Sequence, residues 1–290
     1  MAALAAIALL LSTPIFSEPA ADTLLREEFA VGSFHSATRL AVNAQGWVYV
    51  IDNHENTATL IKGADEKVLS VGSYGWSATS FDNPTGITTD GLSVYISDFN
   101  NHRIQRFDRN LNNLSSFSTR DSSAVATQFG FPSGVALSRF GDLFILDSEN
   151  SRVMKFAPQL RFERSFAGLD AERGRLRQPV KLIVAPSDHL YVLESDRLIE
   201  FDYFGNLLRI IGEGILQGAQ GFDVSNEGIV ITTKDSVLWF SIQGQLSLAR
   251  AVSTILTSTP ISSLQDVVLS GDRVYFLTPH QVVVMKKIVR

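Results

Sequence analysis

What most limits the fold of this chain is a unit of about 45 residues that returns six times. Its clearest copy is PTGITTDGLSVYISDFNNHRIQRFD, Pro84 to Asp108. Two β-branched, aromatic-rich runs flank a turn signal at Asp90-Gly91, and a third run follows Asp98. The frame recurs as PSGVALSRFGDLFILDSENSRVMKF from Pro132 and PVKLIVAPSDHLYVLESDRLIEF from Pro179. Weaker copies are RLAVNAQGWVYVIDNHENTATLI from Arg39, GFDVSNEGIVITTKDSVLWF from Gly221 and DVVLSGDRVYFLTPHQVVVM from Asp266. Equivalent first-strand positions are Leu40, Ile87, Val135, Leu182, Phe222 and Val267, at intervals of 47, 48, 47, 40 and 45 residues.

Three short strands do not fill such an interval, and a fourth candidate precedes each following copy. These are KVLSVGS from Lys67, NLSSFST from Asn113, RFERSFAG from Arg161, NLLRIIGEG from Asn206 and QLSLARAV from Gln245. Four strands repeated six times predict an all-β, six-bladed β-propeller, with blades starting near 39, 84, 132, 179, 220 and 265. The last copy has no fourth strand after it, while REEFAVGSF, Arg26 to Phe34, precedes the first copy without a blade of its own. This segment is expected to pair as the outer strand of the last blade, which closes the ring and covers an open sheet edge. An open solenoid would need caps at both ends instead.

At Pro84-Thr-Gly86-Ile, Val94-Tyr95-Ile96-Ser97-Asp98 and Asn101-His102-Arg103-Ile104 the chain resembles the NHL-repeat family. The third copy keeps the pattern as Asp147, Asn150, Arg152, Val153 and Phe156, and the fourth keeps Arg197 and Phe201. The first, fifth and sixth copies are degenerate, with Lys234 and Thr278 standing in the place of the aspartate. The resemblance implies the propeller fold and says little about activity, because one such scaffold carries many functions. Gly86 and Gly134 suit close approach of the innermost strands. Asp52, Asp98 and Asp147 are placed to hold the following turn. His102 is read as fixing a turn, and Arg103 and Arg152 as pairing with neighbouring blade carboxylates.

Of 290 residues 45% are hydrophobic and 19% charged, which excludes a disordered chain. The net charge of −5 argues against general nucleic-acid binding. With no cysteine there are no disulfides, thiolate metal sites or cysteine nucleophiles. Residues 1–21 read as a secretory signal peptide or N-terminal extension, since the apolar run from Ala2 to Leu11 is too short to span a bilayer and Pro14 follows it. Residues 22–290 form the propeller domain, expected as an exported, periplasmic or extracellular monomer with no integral membrane span once the signal is removed.

In a propeller, loops from strand four to the next strand one share a face with loops between strands two and three. This face holds the mouth of the central channel, where Arg39, Thr85, Ser133, Lys181, Gln220 and Asp266 are the candidate ligand-binding residues. Tyr74, Trp76 and Phe81 form a candidate partner-binding aromatic patch in the crossing between the first two blades. The run Glu172 to Arg177, ERGRLR, is a basic stretch on the same face, and Asp65, Glu66 and Lys67 read as solvated turn charges.

No catalytic set emerges. The similar peptidyl-hydroxyglycine lyases hold zinc with histidines at blade entries, where this chain has Thr85, Ser133, Val180 and Gln220. His35, His54, His102, His189 and His280 occupy different repeat positions, so three are not expected to converge on one ion. The Glu/Asn/Asp metal set of gluconolactonase-like propellers finds no early Glu-Gly-Pro segment, and Glu27 and Glu28 lie on the closing strand. Nucleophile-elbow, phosphate-loop, metalloprotease and Rossmann signatures are missing from the sequence. The sequence therefore favours a scaffold that binds a protein, peptide or envelope polymer, without metal or other cofactor. The alternative is a metal-assisted hydrolase or lyase at the mouth, with Asp266 and Asp98 as oxygen ligands.

Overall fold

The computed structural model describes residues 24–64 and 68–288, so residues 1–21 and the charged turn at 65–67 lie outside the described residues. Strand β1 (Leu24–Val31) leads into blade 1, made of β2 (Ala37–Val42), β3 (Val48–Asp52), β4 (Thr57–Ile61) and β5 (Val68–Gly72). Blade 2 is β6 (Pro84–Thr89), β7 (Ser93–Asp98), β8 (Arg103–Asp108) and β9 (Asn113–Phe117). Blade 3 is β10 (Pro132–Leu137), β11 (Leu143–Asp147), β12 (Arg152–Ala157) and β13 (Arg161–Phe166). Blade 4 is β14 (Pro179–Val184), β15 (Leu190–Glu194), β16 (Leu198–Phe201) and β17 (Leu207–Ile211). Blade 5 is β18 (Ala219–Ser225), β19 (Gly228–Thr233), β20 (Ser236–Phe240) and β21 (Leu246–Ala251). Blade 6 is β22 (Asp266–Ser270), β23 (Arg273–Leu277) and β24 (Val282–Ile288), completed by β1. Six four-stranded antiparallel sheets result, as the repeat predicts.

Closure is as expected. β1 runs antiparallel to β24 from Leu24 opposite Ile288 to Val31 opposite Val282, so blade 6 is sewn from both ends of the described chain. Among the described residues, no helix is long and apolar enough to cross a membrane.

The period-two alternation of each second strand explains the ring. In β11, Leu143 and Ile145 enter the apolar cluster against blade 2, while Phe144 and Leu146 enter the one against blade 4. In β15, Leu190 and Val192 face blade 3, and Tyr191 and Leu193 face blade 5. Both faces of a blade are thus buried, giving six clusters, one at each blade-to-blade junction. Each fully buried Leu, Ile or Phe contributes about 1.5–3 kcal/mol, so the junctions carry the fold. A regular β-bulge opens five of the innermost strands, at Thr38, Thr85, Ser133, Val180 and Gln220, and only blade 6 enters without one. Such bulges re-aim the side chains at the channel entrance.

Candidate functional site

The mouth face is built on short polar groups at the ends of the second strands. Asp98, fully buried, accepts hydrogen bonds from Asp82 N–H (2.8 Å), Asn101 Nδ2 (2.9 Å), Arg103 Nε (2.7 Å) and Gln105 Nε2 (3.1 Å). Arg103 then reaches the carbonyls of Trp76, Ser77 and Ser80, which ties down the crossing loop above it. Asp147 with Arg152 repeats this in blade 3, and Glu194 with Arg197 repeats it in blade 4. The carboxylates paired with Arg103 and Arg152 belong to their own blades, not to neighbouring ones. In blade 5 the register places Thr233, not Lys234, at the aspartate position, because Thr233 opposes Ala219 as Asp98 opposes Pro84. Thr233 Oγ1 accepts Ser236 N–H at 3.0 Å, and Thr278 Oγ1 accepts Gln281 N–H at 3.0 Å in blade 6. In blades 5 and 6 a hydroxyl thus holds the turn that follows the second strand. His102, read from the sequence as fixing a turn, instead holds the next crossing loop: its Nδ1 accepts Phe131 N–H at 3.0 Å, and burial together with Arg120 lowers its pKa.

The six channel-mouth candidates fall into two registers. Thr85, Ser133 and Gln220 are bulge residues, whereas Arg39, Lys181 and Asp266 lie one step deeper, level with Gly86, Gly134 and Gly221. At this level three blades offer glycine and three offer charge. A β-carbon on Gly86 would lie 2.8 Å from Gly134 Cα, and one on Gly221 would lie 2.5 Å from Asp266 Cα, so the glycines let innermost strands touch. The charged side chains occupy the remaining axis. Lys181 Nζ binds Asp266 Oδ1 at 2.6 Å and the Phe222 carbonyl at 2.9 Å, joining blade 4 to blades 5 and 6. Asp266, fully buried, also accepts Leu40 N–H (3.2 Å) from blade 1 and Val267 N–H (2.9 Å). Arg39 crosses from blade 1 to the opposite blade 4, where its Nη2 donates to the Val180 carbonyl at 2.8 Å.

A small pocket remains at the mouth, lined by Arg39, Thr85, Ser133, Val180 and Lys181 among others. Gln220 is not in its wall. Burial lowers the pKa of Arg39, opposed by Asp266. Asp223, which the sequence did not single out, holds Leu269 N–H at 2.7 Å, and burial pushes its carboxyl up to about 6 despite the nearby Lys181. Asp266 and Asp98 are not brought together: each is held by protein donors in its own place.

The aromatic patch needs one correction. Tyr74 and Trp76 are 75% and 68% exposed, but Phe81 is fully buried between blades 1 and 2 against Phe107, 5.8 Å between ring centres. Ladder-like pairing inside the crossing turns it inward: Phe81 N–H donates to the Ser73 carbonyl (2.9 Å) and Gly75 N–H to the Phe81 carbonyl (3.0 Å). The other long crossings expose apolar side chains on this same face, namely Val125, Leu169, Ile215 and Leu256. Within ERGRLR, Leu176 is buried and Arg177 pairs with Asp196 at 3.1 Å, so its charge is partly neutralised.

Among the described residues no three histidines meet, but two of the five meet beside a carboxylate. His35, in the short crossing before β2, and His54 with Glu55, in the turn after β3, meet on the mouth face of blade 1. Both Nδ1 atoms lie 3.0 Å from Glu55 Oε1. Crossing loops and second turns share a face, and that rule, applied to blade 1, would have found the trio.

Residues 81–107 match the NHL repeat family, and they span the inner three strands of blade 2 in a closed six-bladed ring. The chain is a six-bladed propeller whose second blade matches an NHL repeat. It is 29% identical over 115 residues to Protein brain tumor of Drosophila melanogaster, an alignment covering 38% of this chain. The chain thus spans only 11% of that relative's length. In fold it is similar to virginiamycin B lyase from Staphylococcus aureus, with a TM-score of 0.60 at 12% identity over 92% of this chain and 100% of that one. It is likewise similar to a gluconolactonase from Xanthomonas campestris, with a TM-score of 0.63 at 14% identity over 92% and 90% of the two chains. At these identities the likeness is one of fold.

Proposed function

We propose that this NHL-repeat propeller is an exported scaffold that holds a protein, peptide or envelope polymer against its mouth face. The observation carrying the reading is the exposure of Tyr74, Trp76, Val125, Leu169, Ile215 and Leu256 on successive crossing loops of one face. Rigid aromatics such as Tyr74 and Trp76 supply large contact area at low entropic cost, which suits recognition. The loops bearing Tyr74 and Trp76, Val125 and Leu169 are pinned from below by Arg103, Arg152 and Arg197, so that part of the surface is preorganised. Thr85, Ser133 and Gln220 at the channel entrance extend the contact, while Arg39, Lys181 and Asp266 fix the ring. The apolar run Ala2 to Leu11 supports export.

Crosslinking of the full chain in envelope and secreted fractions of its source cells, followed by peptide mapping, tests the proposal. Crosslinks should fall on loops 72–83, 119–131 and 168–178 and be lost in a Tyr74→Ser/Trp76→Ser variant of unchanged melting temperature. Crosslinks confined to the opposite face overturn it, as does turnover of a lactone or peptidyl substrate that Asp266→Ala abolishes.

A further inference from the structure

We propose that His35, His54 and Glu55 form a binding site for a first-row divalent metal ion of the Zn²⁺ type. Two imidazoles and a carboxylate are donors such an ion accepts. Their ligating atoms all lie within 4.8 Å of one another, and both Nδ1 atoms stand 3.0 Å from the same oxygen, Glu55 Oε1. A tetrahedral ion with bonds of about 2.0–2.2 Å holds its ligand atoms roughly 3.3–3.6 Å apart, so each of the two nitrogen–oxygen edges need open by only a few tenths of an ångström. The two imidazole rings stack at 5.3 Å with 26° between their planes, which sets both ring edges toward the carboxylate.

The scaffold beneath the trio is built to hold it. Asp52 is buried, and its carboxylate accepts the backbone N–H groups of His35 (2.7 Å), Ser36 (3.1 Å), His54 (3.0 Å) and Glu55 (3.4 Å). One anion therefore fixes the main chain of all three ligands, the role outer-sphere groups play in metal sites. In blades 2, 3 and 4 the matching carboxylate is occupied by Arg103, Arg152 or Arg197, but blade 1 has Thr57 at that position. Beyond Glu55 the turn is anchored again, since Asn56 Oδ1 accepts Asn83 N–H at 2.8 Å. The backbone is thus held on both sides, while the His35 and His54 side chains stay 71% and 67% exposed. An ion placed here keeps its remaining coordination positions toward solvent, on the same face as Tyr74 and Trp76. The assignment stands apart from the scaffold reading, and either can fail alone.

Zn²⁺ titration of the metal-stripped full chain by calorimetry is the test, with Co²⁺ as a visible-absorption reporter. One saturable ion per chain is expected. His35→Ala, His54→Ala and Glu55→Gln should each weaken binding at least tenfold, since even loss of an outer-sphere partner costs 10–100-fold. The His35→Ala/His54→Ala double variant should lose both the site and the Co²⁺ bands. Because both rings are exposed, circular dichroism should show every variant folded. His189→Ala, on the opposite face, should bind as the wild type does. Wild-type protein without a saturable site, or a double variant that binds Zn²⁺ unchanged, overturns the assignment.

Discussion

Replacing Lys181 by methionine keeps most of the side chain's bulk and removes its ammonium from the axis of the ring. In the native chain this group binds Asp266 at 2.6 Å and the Phe222 carbonyl at 2.9 Å. Without it, the hydrogen bonds left to the fully buried Asp266 carboxylate are those from the N–H groups of Leu40 at 3.2 Å and Val267 at 2.9 Å, with the Arg39 charge near but not bonded to it. Breaking one side of a buried pair costs about 3–5 kcal/mol, chiefly because a charge is left without compensation. In a domain of this size that corresponds to a fall in melting temperature of roughly 6–20 °C. Differential scanning calorimetry with urea denaturation measures both quantities. The second charge supplies the control: Lys181→Met/Asp266→Leu removes the stranded carboxylate and should recover at least half of the loss. A single variant within about 0.5 kcal/mol of the wild type, or a double variant less stable than the single, refutes the reasoning.

Three further outcomes follow. Gly86→Ala sets a β-carbon 2.8 Å from Gly134 Cα and 2.7 Å from Ser97 Oγ, and should destabilise the chain by about 1–3 kcal/mol in the same assay. Asp223, whose folded pKa stands near 6 because of burial, binds its proton more tightly folded than unfolded. Its contribution is therefore fully present below about pH 4 and lost as pH rises through about 6, so Asp223→Asn should gain up to roughly 3 kcal/mol over the wild type between pH 4 and pH 7; melting temperatures across that range check the sign, and a pH-independent difference refutes it. Removing Leu24–Val31 leaves β24 with a bare edge in blade 6, so the truncated chain should melt lower and associate, as light scattering will show.

The ring was legible because its signal is local and repeated. Alternating apolar residues in VYISD, LFILD and LYVLE state both the strand and its two buried faces, and the spacing of the copies states the blade number. The closing strand could be inferred because one blade was short by one strand. The site was less legible, since it depends on which residues the ring carries across its axis. Lys181 and Asp266 are 85 residues apart and meet only after blades 4 and 6 are set around the same channel. Thr85, Ser133 and Gln220 were grouped with Arg39, Lys181 and Asp266 because a bulge leaves no mark in the sequence that fixes its register. Phe81 reads as a loop aromatic until the crossing folds it under itself. The meeting of His35 with His54 and Glu55 combines two loops that no single repeat copy contains.

The pairing of Leu24 with Ile288 has a mechanical side. The two strands run antiparallel with their outer ends at one corner of blade 6, so force applied between these ends peels the sheet instead of shearing it. Hydrogen bonds loaded in that way break in succession, starting at Leu24 and ending at Val31, and each rupture needs only a small force. A propeller held by one end alone feels no such load. One stretched between attachments at both ends would open first at this seam, with the other five blades still intact.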